Sequence, residues 1–315
     1  MLMIPIDTGN KAIKTEHLNF NAGLTALEKE PSEMEEAILY QNNYYRLSDT
    51  RGIYLEDKTQ DDRYYILTLF AIAKELEFVK KTRKILPGEL LRMDLVVGLP
   101  PLYYRGQCKR FGEYFYRGGQ SNEITYMKNT YKIVFSKIYV HMQTYAAYLL
   151  LAGKLKLSMN PKVLILDIGG FTFDYMLLRY GKIDWDIVDS MPMGVITMYR
   201  NINRGVREKC NIDLEESDID NIILGNETKD EQGVNERTME LATEHVMTCL
   251  GRFRECGVDL KTTLTIFTGG GTILLSNIIE KVWKRYQGEY FVINDTQANV
   301  KGYKQKYLTD KGLLI

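Results

Sequence analysis

Leu164-Ile165-Leu166-Asp167-Ile168-Gly169-Gly170-Phe171-Thr172-Phe173-Asp174 is the stretch that decides how this chain is read. An apolar run ending in an acid has the pattern of a buried strand. The glycines behind it make a tight turn without Cβ atoms, which bares the backbone amides. Bare amides in a turn form an anion nest, and an acid beside it can hold a hydrated cation. Asp167 falls at the carboxyl end of the strand, the edge at which open α/β sheets place their ligands. Taken alone, an ordinary turn at a strand end competes with this reading.

The same grammar occurs near the N-terminus, in Met3-Ile4-Pro5-Ile6-Asp7-Thr8-Gly9-Asn10 with Lys14 seven residues after the acid. A surface β-turn is the rival reading of these residues by themselves. A strand after the turn would bring the Lys14 ammonium back beside the amides and add a point charge to a phosphate cradle. A third glycine segment, Thr268-Gly269-Gly270-Gly271-Thr272, stands between an apolar strand and an apolar helix. It lets backbone approach a ligand and aims a helix N-terminus at it; a flexible hinge is the alternative. The GxxxxGKS/T P-loop and the GxGxxG fingerprint are both absent. Acid–glycine turns near the start of both halves suggest a phosphate–metal ligand held by two similar halves.

Composition sets bounds. A chain of 315 residues exceeds the usual single-domain size, so two domains are expected. Hydrophobic residues at 45% and charged residues at 26% are ordinary for a globular protein. With 41 basic and 41 acidic side chains the formal net charge is zero, so nothing draws the chain to nucleic acid or to anionic membrane in general. Cys108, Cys210, Cys249 and Cys256 have no CxxC spacing, and free buried thiols are expected rather than a zinc site or disulfides. The phosphate motif begins too early to leave room for a signal peptide, and no apolar run has the length of a membrane span. A cytoplasmic protein is the expectation.

Along the chain, a strand at 2–6 leads through the Asp7 turn into an extended stretch at 13–20, with short β-prone pieces at 38–40 and 44–47. Helical spacing of Tyr65, Leu69, Ile72, Leu76 and Val79 predicts an amphipathic helix over 61–81. A buried strand at 94–99 is stopped by Pro100-Pro101, followed by a helix over 105–116, a hairpin near 123–140 and a buried helix over 142–152. After Pro161 the pattern restarts. Strands are expected at 162–167, 173–178, 183–188 and 263–267, and helices at 195–209, 215–223, 235–255, after the triple glycine to 286, and from 296. The acidic run 213–218 marks a helix start. Tyrosines around 40–65 and 103–131 suit either protomer contacts or half-buried sheet positions. His17, His141 and His245 have no visible nucleophile partner. The mixture of strands and helices is α/β, with an internal duplication.

The order Asp-x-Gly…Lys, strand–Asp-x-Gly-Gly-x-Thr, strand–Thr-Gly-Gly-Gly resembles the actin, Hsp70 and sugar-kinase superfamily. Within it the chain is most similar to ParM/StbA-type bacterial actin-like ATPases. The supporting residues are Ile6 to Asn10, Val96-Val97-Gly98-Leu99-Pro100-Pro101-Leu102, the Asp167 segment and Asn299-Val300-Lys301-Gly302-Tyr303. The resemblance implies an actin-like α/β fold of two duplicated ribonuclease-H-like domains flanking a nucleotide cleft. Domain I would span 1–155, completed by a C-terminal helix at 300–315, and domain II 156–299. It implies ATP or ADP with Mg2+ as ligands. Asp7 would hold the metal's water shell. Thr8, Gly9, Asn10 and Lys14 would contact phosphates. Asp167 would lie across the metal, and Gly169 and Gly170 would close on the γ-phosphate. Gly269, Gly270 and Gly271 would meet the nucleoside and α-phosphate, and Gly194 the ribose. In Val140-His141-Met142-Gln143-Thr144-Tyr145, Gln143 corresponds to actin's glutamine near the attacking water, where ParM carries a glutamate. A neutral amide cannot be a strong base but can orient water; a polar residue capping a buried helix is the other reading.

The function so implied is an ATPase that forms ATP-dependent dynamic filaments with itself as partner. Its use would be plasmid segregation in the bacterial cytoplasm, plasmid- or phage-encoded, through a DNA-binding adaptor protein. Direct nucleic-acid or membrane binding is not expected. A small-molecule kinase, or a non-polymerising regulatory ATPase on the same fold, is the alternative. A kinase needs a carboxylate base facing an acceptor hydroxyl, and no sequence signal marks one.

Overall fold

The computed structural model describes residues 2–32, 36–153, 155–226 and 233–313. The chain divides into two compact units, Met1–Leu149 with Asn299–Ile315, and Leu150–Ala298. The division falls within a helix, between Leu149 and Leu150.

Unit 1 carries strands β1 (Leu2–Thr8), β2 (Ala12–Lys14), β3 (Asn19–Asn21), β4 (Gly23–Leu27), β5 (Ala37–Tyr40) and β6 (Asn43–Ser48). Helix α1 (Arg63–Val79), strand β7 (Leu90–Leu99), helix α2 (Pro101–Tyr116) and strands β8 (Ser121–Tyr126) and β9 (Asn129–Met142) follow, and α3 (Tyr145–Ala152) crosses into unit 2. The sheet order is β3-β2-β1-β7-β9-β8-β5-β6-β4. The apolar stripe of α1 (Leu69, Phe70, Ile72, Leu76) is wholly buried with Ile6, Leu95 and Val97 of the central strands. Five of the tyrosines at 40–65 and 103–131 are core residues, and most of the others are half-buried. Tyr40, Tyr64, Tyr65, Tyr126 and Tyr131 are buried, and the Tyr40 and Tyr65 hydroxyls both donate to Asn122 Oδ1. Such hydroxyl partners are what a buried tyrosine requires.

Unit 2 holds β10 (Val163–Ile168), β11 (Phe173–Arg179), β12 (Lys182–Met191), α4 (Val195–Cys210), α5 (Glu216–Leu224) and α6 (Val234–Glu255). It ends with β13 (Leu264–Thr268), α7 (Gly270–Leu274), α8 (Ser276–Trp283) and β14 (Tyr290–Val292). Its sheet order is β12-β11-β10-β13-β14. Every residue of β10 and β13 is buried, as suits central strands covered on both faces. The acidic run does start a helix: Glu215 N donates to Asp218 Oδ2 ahead of α5.

The two sheets repeat one plan. In unit 1, β1 pairs antiparallel with β2, β2 antiparallel with β3, β1 parallel with β7, and β7 parallel with β9. In unit 2, β10, β11, β12, β13 and β14 reproduce those relations in the same order. The duplication, too faint to align in sequence, is explicit in the topology.

The last helix, α9 (Ala298–Asp310), packs onto unit 1. A Cβ at Gly98 would stand 1.9 Å from the Tyr303 hydroxyl, and one at Gly302 would stand 2.0 Å from the Ala146 carbonyl oxygen. Tyr307 donates to the buried Asp94 at 2.8 Å. Two glycines thus open the seat that α9 fills.

Several boundaries differ from expectation for definable reasons. The segment at 13–20 is two short strands around a turn closed by Thr15 N to Leu18 O. Pro101 opens α2 instead of only ending the strand, since proline suits the first helical position. Met142 ends β9, and α3 begins after Thr144, whose φ is +64°. The helix after the triple glycine is broken at Leu275. Of the thiols, Cys210 and Cys249 are buried, but Cys256 is exposed and Cys108 half-buried.

Candidate functional site

In unit 1 the site is the hairpin after β1. Asp7 lies directly opposite Lys14 across β1–β2, and Thr8 opposite Ile13, so the acid and the lysine project from one face of the hairpin. Gly9 is required by the turn, because its Cβ would lie 2.6 Å from the Ala12 carbonyl oxygen. The Gln143 side chain donates from Nε2 to Asp7 Oδ1 at 2.6 Å, with both residues buried. The Gln143 backbone is held by its N–H to the Leu99 carbonyl at 2.9 Å. Donation to a carboxylate fixes the amide's orientation and turns Oε1 away from Asp7 as an acceptor. Asp7, Lys14 and Gln143 are therefore brought together, although Gln143 is distant in sequence.

Asn10 behaves otherwise than expected of a phosphate ligand's side chain. Its Oδ1 accepts from the Tyr64 hydroxyl at 2.6 Å and from Leu55 N at 3.1 Å. The side chain anchors the loop to residues 55–64, leaving the backbone amide as its contribution to a nest.

In unit 2, Asp167 is the penultimate residue of β10, as Asp7 is of β1. It pairs with Asp174 on β11 and with Thr268 on β13, placing these three residues in one row across the sheet. Asp167 and Asp174 are both buried. Directly opposed like charges are destabilising in a sheet, more so away from water, and a cation relieves them. The motif reading gives Asp174 no role. The available signal was its spacing: seven residues after Asp167, as Lys14 is seven after Asp7. One backbone position thus carries a cation in unit 1 and an acid in unit 2.

The glycine loops close around Asp167. Gly269 has φ +95°, and a Cβ there would stand 2.2 Å from Asp167 Oδ1. A Cβ at Gly271 would meet Ile168 Cγ2 and Val195 Cγ1. At Gly270 there is nothing within 4 Å, so that position faces open space. Gly169 N donates to Thr172 O at 2.9 Å and closes the turn. Gly194 packs on the turn itself, since its Cβ would lie 2.5 Å from the Gly170 carbonyl oxygen. The first amides of α4 are engaged by that turn: Val195 N donates to Gly169 O at 3.1 Å and Ile196 N to Gly170 O at 2.9 Å. Gly194 therefore supports the Gly169–Gly170 loop from behind. The α7 helix at the triple glycine is only one turn long, which leaves little macrodipole to direct at a ligand.

Among the described residues no three His, Cys, Asp or Glu side chains cluster as a metal cage. Two oxygen donors without nitrogen or sulfur fit Mg2+, which keeps waters and substrate phosphates in its shell, and not an all-protein zinc or calcium site. On α6, Cys249 Sγ lies 3.8 Å from His245 Nε2. Burial pushes that thiol up to about 12 and lowers the imidazole's pKa, so the pair is a neutral core contact and not an activated nucleophile.

These features together define an actin-like fold, the one the motifs led us to expect. An archaeal actin homolog, Ta0583, in complex with ADP has a TM-score of 0.73 at 14% identity, covering 98% of this chain and 100% of its own. The filament structure of Alp12 matches with a TM-score of 0.65 at 15% identity over 98% of each chain. Bacillus thuringiensis ParM with ATP matches with a TM-score of 0.65 at 11% identity over 99% of each. No family model and no curated protein matches the sequence. Among the described residues no helix is long and apolar enough to cross a membrane.

Proposed function

We propose that this chain is an Mg2+-dependent ATPase that polymerises when ATP-bound and disassembles after hydrolysis. The observation that carries the reading is the repeated hairpin with opposite charge, Asp7–Lys14 in one unit and Asp167–Asp174 in the other. The first suits a phosphate, the second a hydrated cation. Solved actin-like structures in complex with ADP or ATP, and one as a filament, support the same reading.

In this reading Thr8, Gly9, Asn10 and Lys14 receive the outer phosphates, Gly169 and Gly170 close on them, and Gly269, Gly270 and Gly271 take the nucleoside side. Asp7 and Asp167, with Asp174, would hold Mg2+ through water, and the ion would supply positive charge against the phosphates. Gln143 presents Oε1 to one proton of the attacking water and so aims its lone pair, while Asp7 holds the amide in place. Gly194 acts by holding the Gly169–Gly170 turn. Units 1 and 2 correspond to actin-like domains I and II. The nucleotide biases assembly only by its differential affinity for the assembled and free forms. Plasmid segregation through a DNA-binding adaptor, in the cytoplasm, completes the proposal.

Sedimentation and electron microscopy with MgATP and MgADP, alongside phosphate release, test it. Pelleting and filaments with ATP but not ADP, with phosphate released, are expected. Protein that stays soluble while phosphorylating a sugar or acetate would instead establish a kinase.

A further inference from the structure

Glu75 of α1 is a buried acid, 6% exposed. Its carboxylate receives three hydrogen bonds from one turn, residues 15–18 between β2 and β3. The Thr15 hydroxyl donates to Oε1, His17 N donates to Oε1 at 3.1 Å, and His17 Nδ1 meets Oε2 at 2.8 Å. The turn is also closed on itself, by Thr15 N to the Leu18 carbonyl at 2.9 Å and Leu18 N to the Thr15 hydroxyl at 3.0 Å. The His17 ring stacks on Phe78, three residues further along α1, with ring centres 4.6 Å apart. A carboxylate with several donors is a satisfied buried group. The turn is therefore docked on α1 as a closed unit.

One residue before the turn stands Lys14, the last of the three residues of β2. Side chains alternate across a strand. Ile13 and Thr15, both without exposed surface, face the α1 core, and Lys14 takes the other face, with Asp7 opposite. A slip of one residue would exchange the faces, turning Lys14 inward and Ile13 outward. Ile13 is the single buried residue of β2, a slight hold on register by itself. Among the described residues the Lys14 ammonium makes no hydrogen bond or ion pair, so its place is set by the backbone of β2. Glu16 in the turn pairs with Lys304 of α9, but both are part-exposed, and such pairs contribute little. The grip of Glu75 on the turn is the stronger restraint.

We propose that Glu75 is a positioning residue for Lys14: by gripping Thr15 and His17 it locks the register of β2 and holds the Lys14 ammonium beside Asp7, toward a phosphate. The assignment rests on the phosphate-binding reading of the hairpin. Glu75 lies behind the hairpin, on the face away from Lys14, and acts through the strand.

A double-mutant cycle tests it. Affinities for MgATP, pyrophosphate and adenosine are measured in wild type, Glu75→Leu, Lys14→Ala and the double variant, with thermal unfolding to establish that each is folded. Removing the charged donor Lys14 should weaken MgATP and pyrophosphate about ten- to hundredfold. Glu75→Leu should weaken both about tenfold, within that ceiling, and leave adenosine affinity unchanged. In the Lys14→Ala background it should change them by less than about twofold, because a residue that acts through Lys14 has nothing left to position. Unchanged MgATP affinity in Glu75→Leu, a parallel loss of adenosine binding, or an undiminished loss in the Lys14→Ala background overturns the assignment and leaves the phosphate reading standing. Wild-type protein that binds neither MgATP nor pyrophosphate, or Lys14→Ala without effect, overturns the phosphate reading and the assignment with it. Should Glu75→Leu fail to fold, His17→Leu takes its place in the cycle. That residue is exposed and supplies one side-chain bond to Glu75, so a loss of about threefold is expected, cancelled in the Lys14→Ala background, and the same results overturn it.

Discussion

Replacing Gln143 by alanine removes a 2.6 Å hydrogen bond to a carboxylate that is 5% exposed. Hydrogen bonds to charged groups contribute about 1.5–3 kcal/mol, and a buried acceptor left without its donor keeps the desolvation cost. For a unit of this size ~1 kcal/mol shifts the unfolding midpoint by ~2–4 °C. The ligand-free variant should therefore melt about 3–12 °C below wild type by calorimetry. Under the proposed mechanism it also hydrolyses ATP more slowly while still assembling with ATP. Gln143→Glu separates charge from packing. Two carboxylates at this distance share a proton, which raises the folded-state pKa above the unfolded value of ~4.3. The stability tied to that proton is present below the unfolded pKa and lost as pH rises through the folded one. The glutamate variant should thus approach wild-type stability in acid and fall below Gln143→Ala at neutral pH. An unchanged midpoint in Gln143→Ala, or a pH-independent deficit in Gln143→Glu, would refute this reasoning.

Four further outcomes are expected. Gly269→Ala forces a Cβ onto the Asp167 carboxylate at positive φ, so it should lower the melting temperature and abolish nucleotide binding. Gly270→Ala enters open space and should leave the melting temperature within about 1 °C, while nucleotide titration shows weakened binding; unaltered affinity would move the ligand away from this loop. Asp167→Asn removes one of two opposed buried acids and should slow phosphate release severely, and wild-type turnover would exclude Asp167 from the site. Burial, with the Lys306 charge adding to it, lowers the His141 pKa from 6.5 to about 4. Because the folded value is depressed, its stabilising effect is present above pH 6.5 and lost as pH falls toward 4. His141→Gln should flatten that acid limb in pH-dependent unfolding, and an unaltered limb would assign acid sensitivity elsewhere.

Much of the frame was legible because it rests on local chemistry. Apolar runs ending in Asp7 and Asp167 announced central strands, and α1 declared itself by its period. What stayed hidden depends on tertiary placement. The run at 142–152 is apolar throughout, and periodicity alone cannot separate a strand end from a helix start there. The anchoring of the Asn10 side chain by Tyr64 and Leu55 is likewise a tertiary contact without a sequence signature. The closeness of Gly194 to Gly170 follows from the path of α4 and has no signature in the sequence. Asp174 was within reach: comparing the two seven-residue intervals would have found it.

The return of α9 to unit 1 has a consequence for biosynthesis. Leu150–Ala298 leaves the ribosome before α9 does, and at ~5–20 residues per second its translation occupies on the order of ten seconds. Throughout that interval Asp94, Val96 and the hollow at Gly98 wait uncovered, because Tyr303 and Tyr307 have not yet been made. The half begun first is thus the half completed last, and a nascent chain arrested before residue 299 presents a finished second unit beside an incomplete first one, a natural target for chaperones.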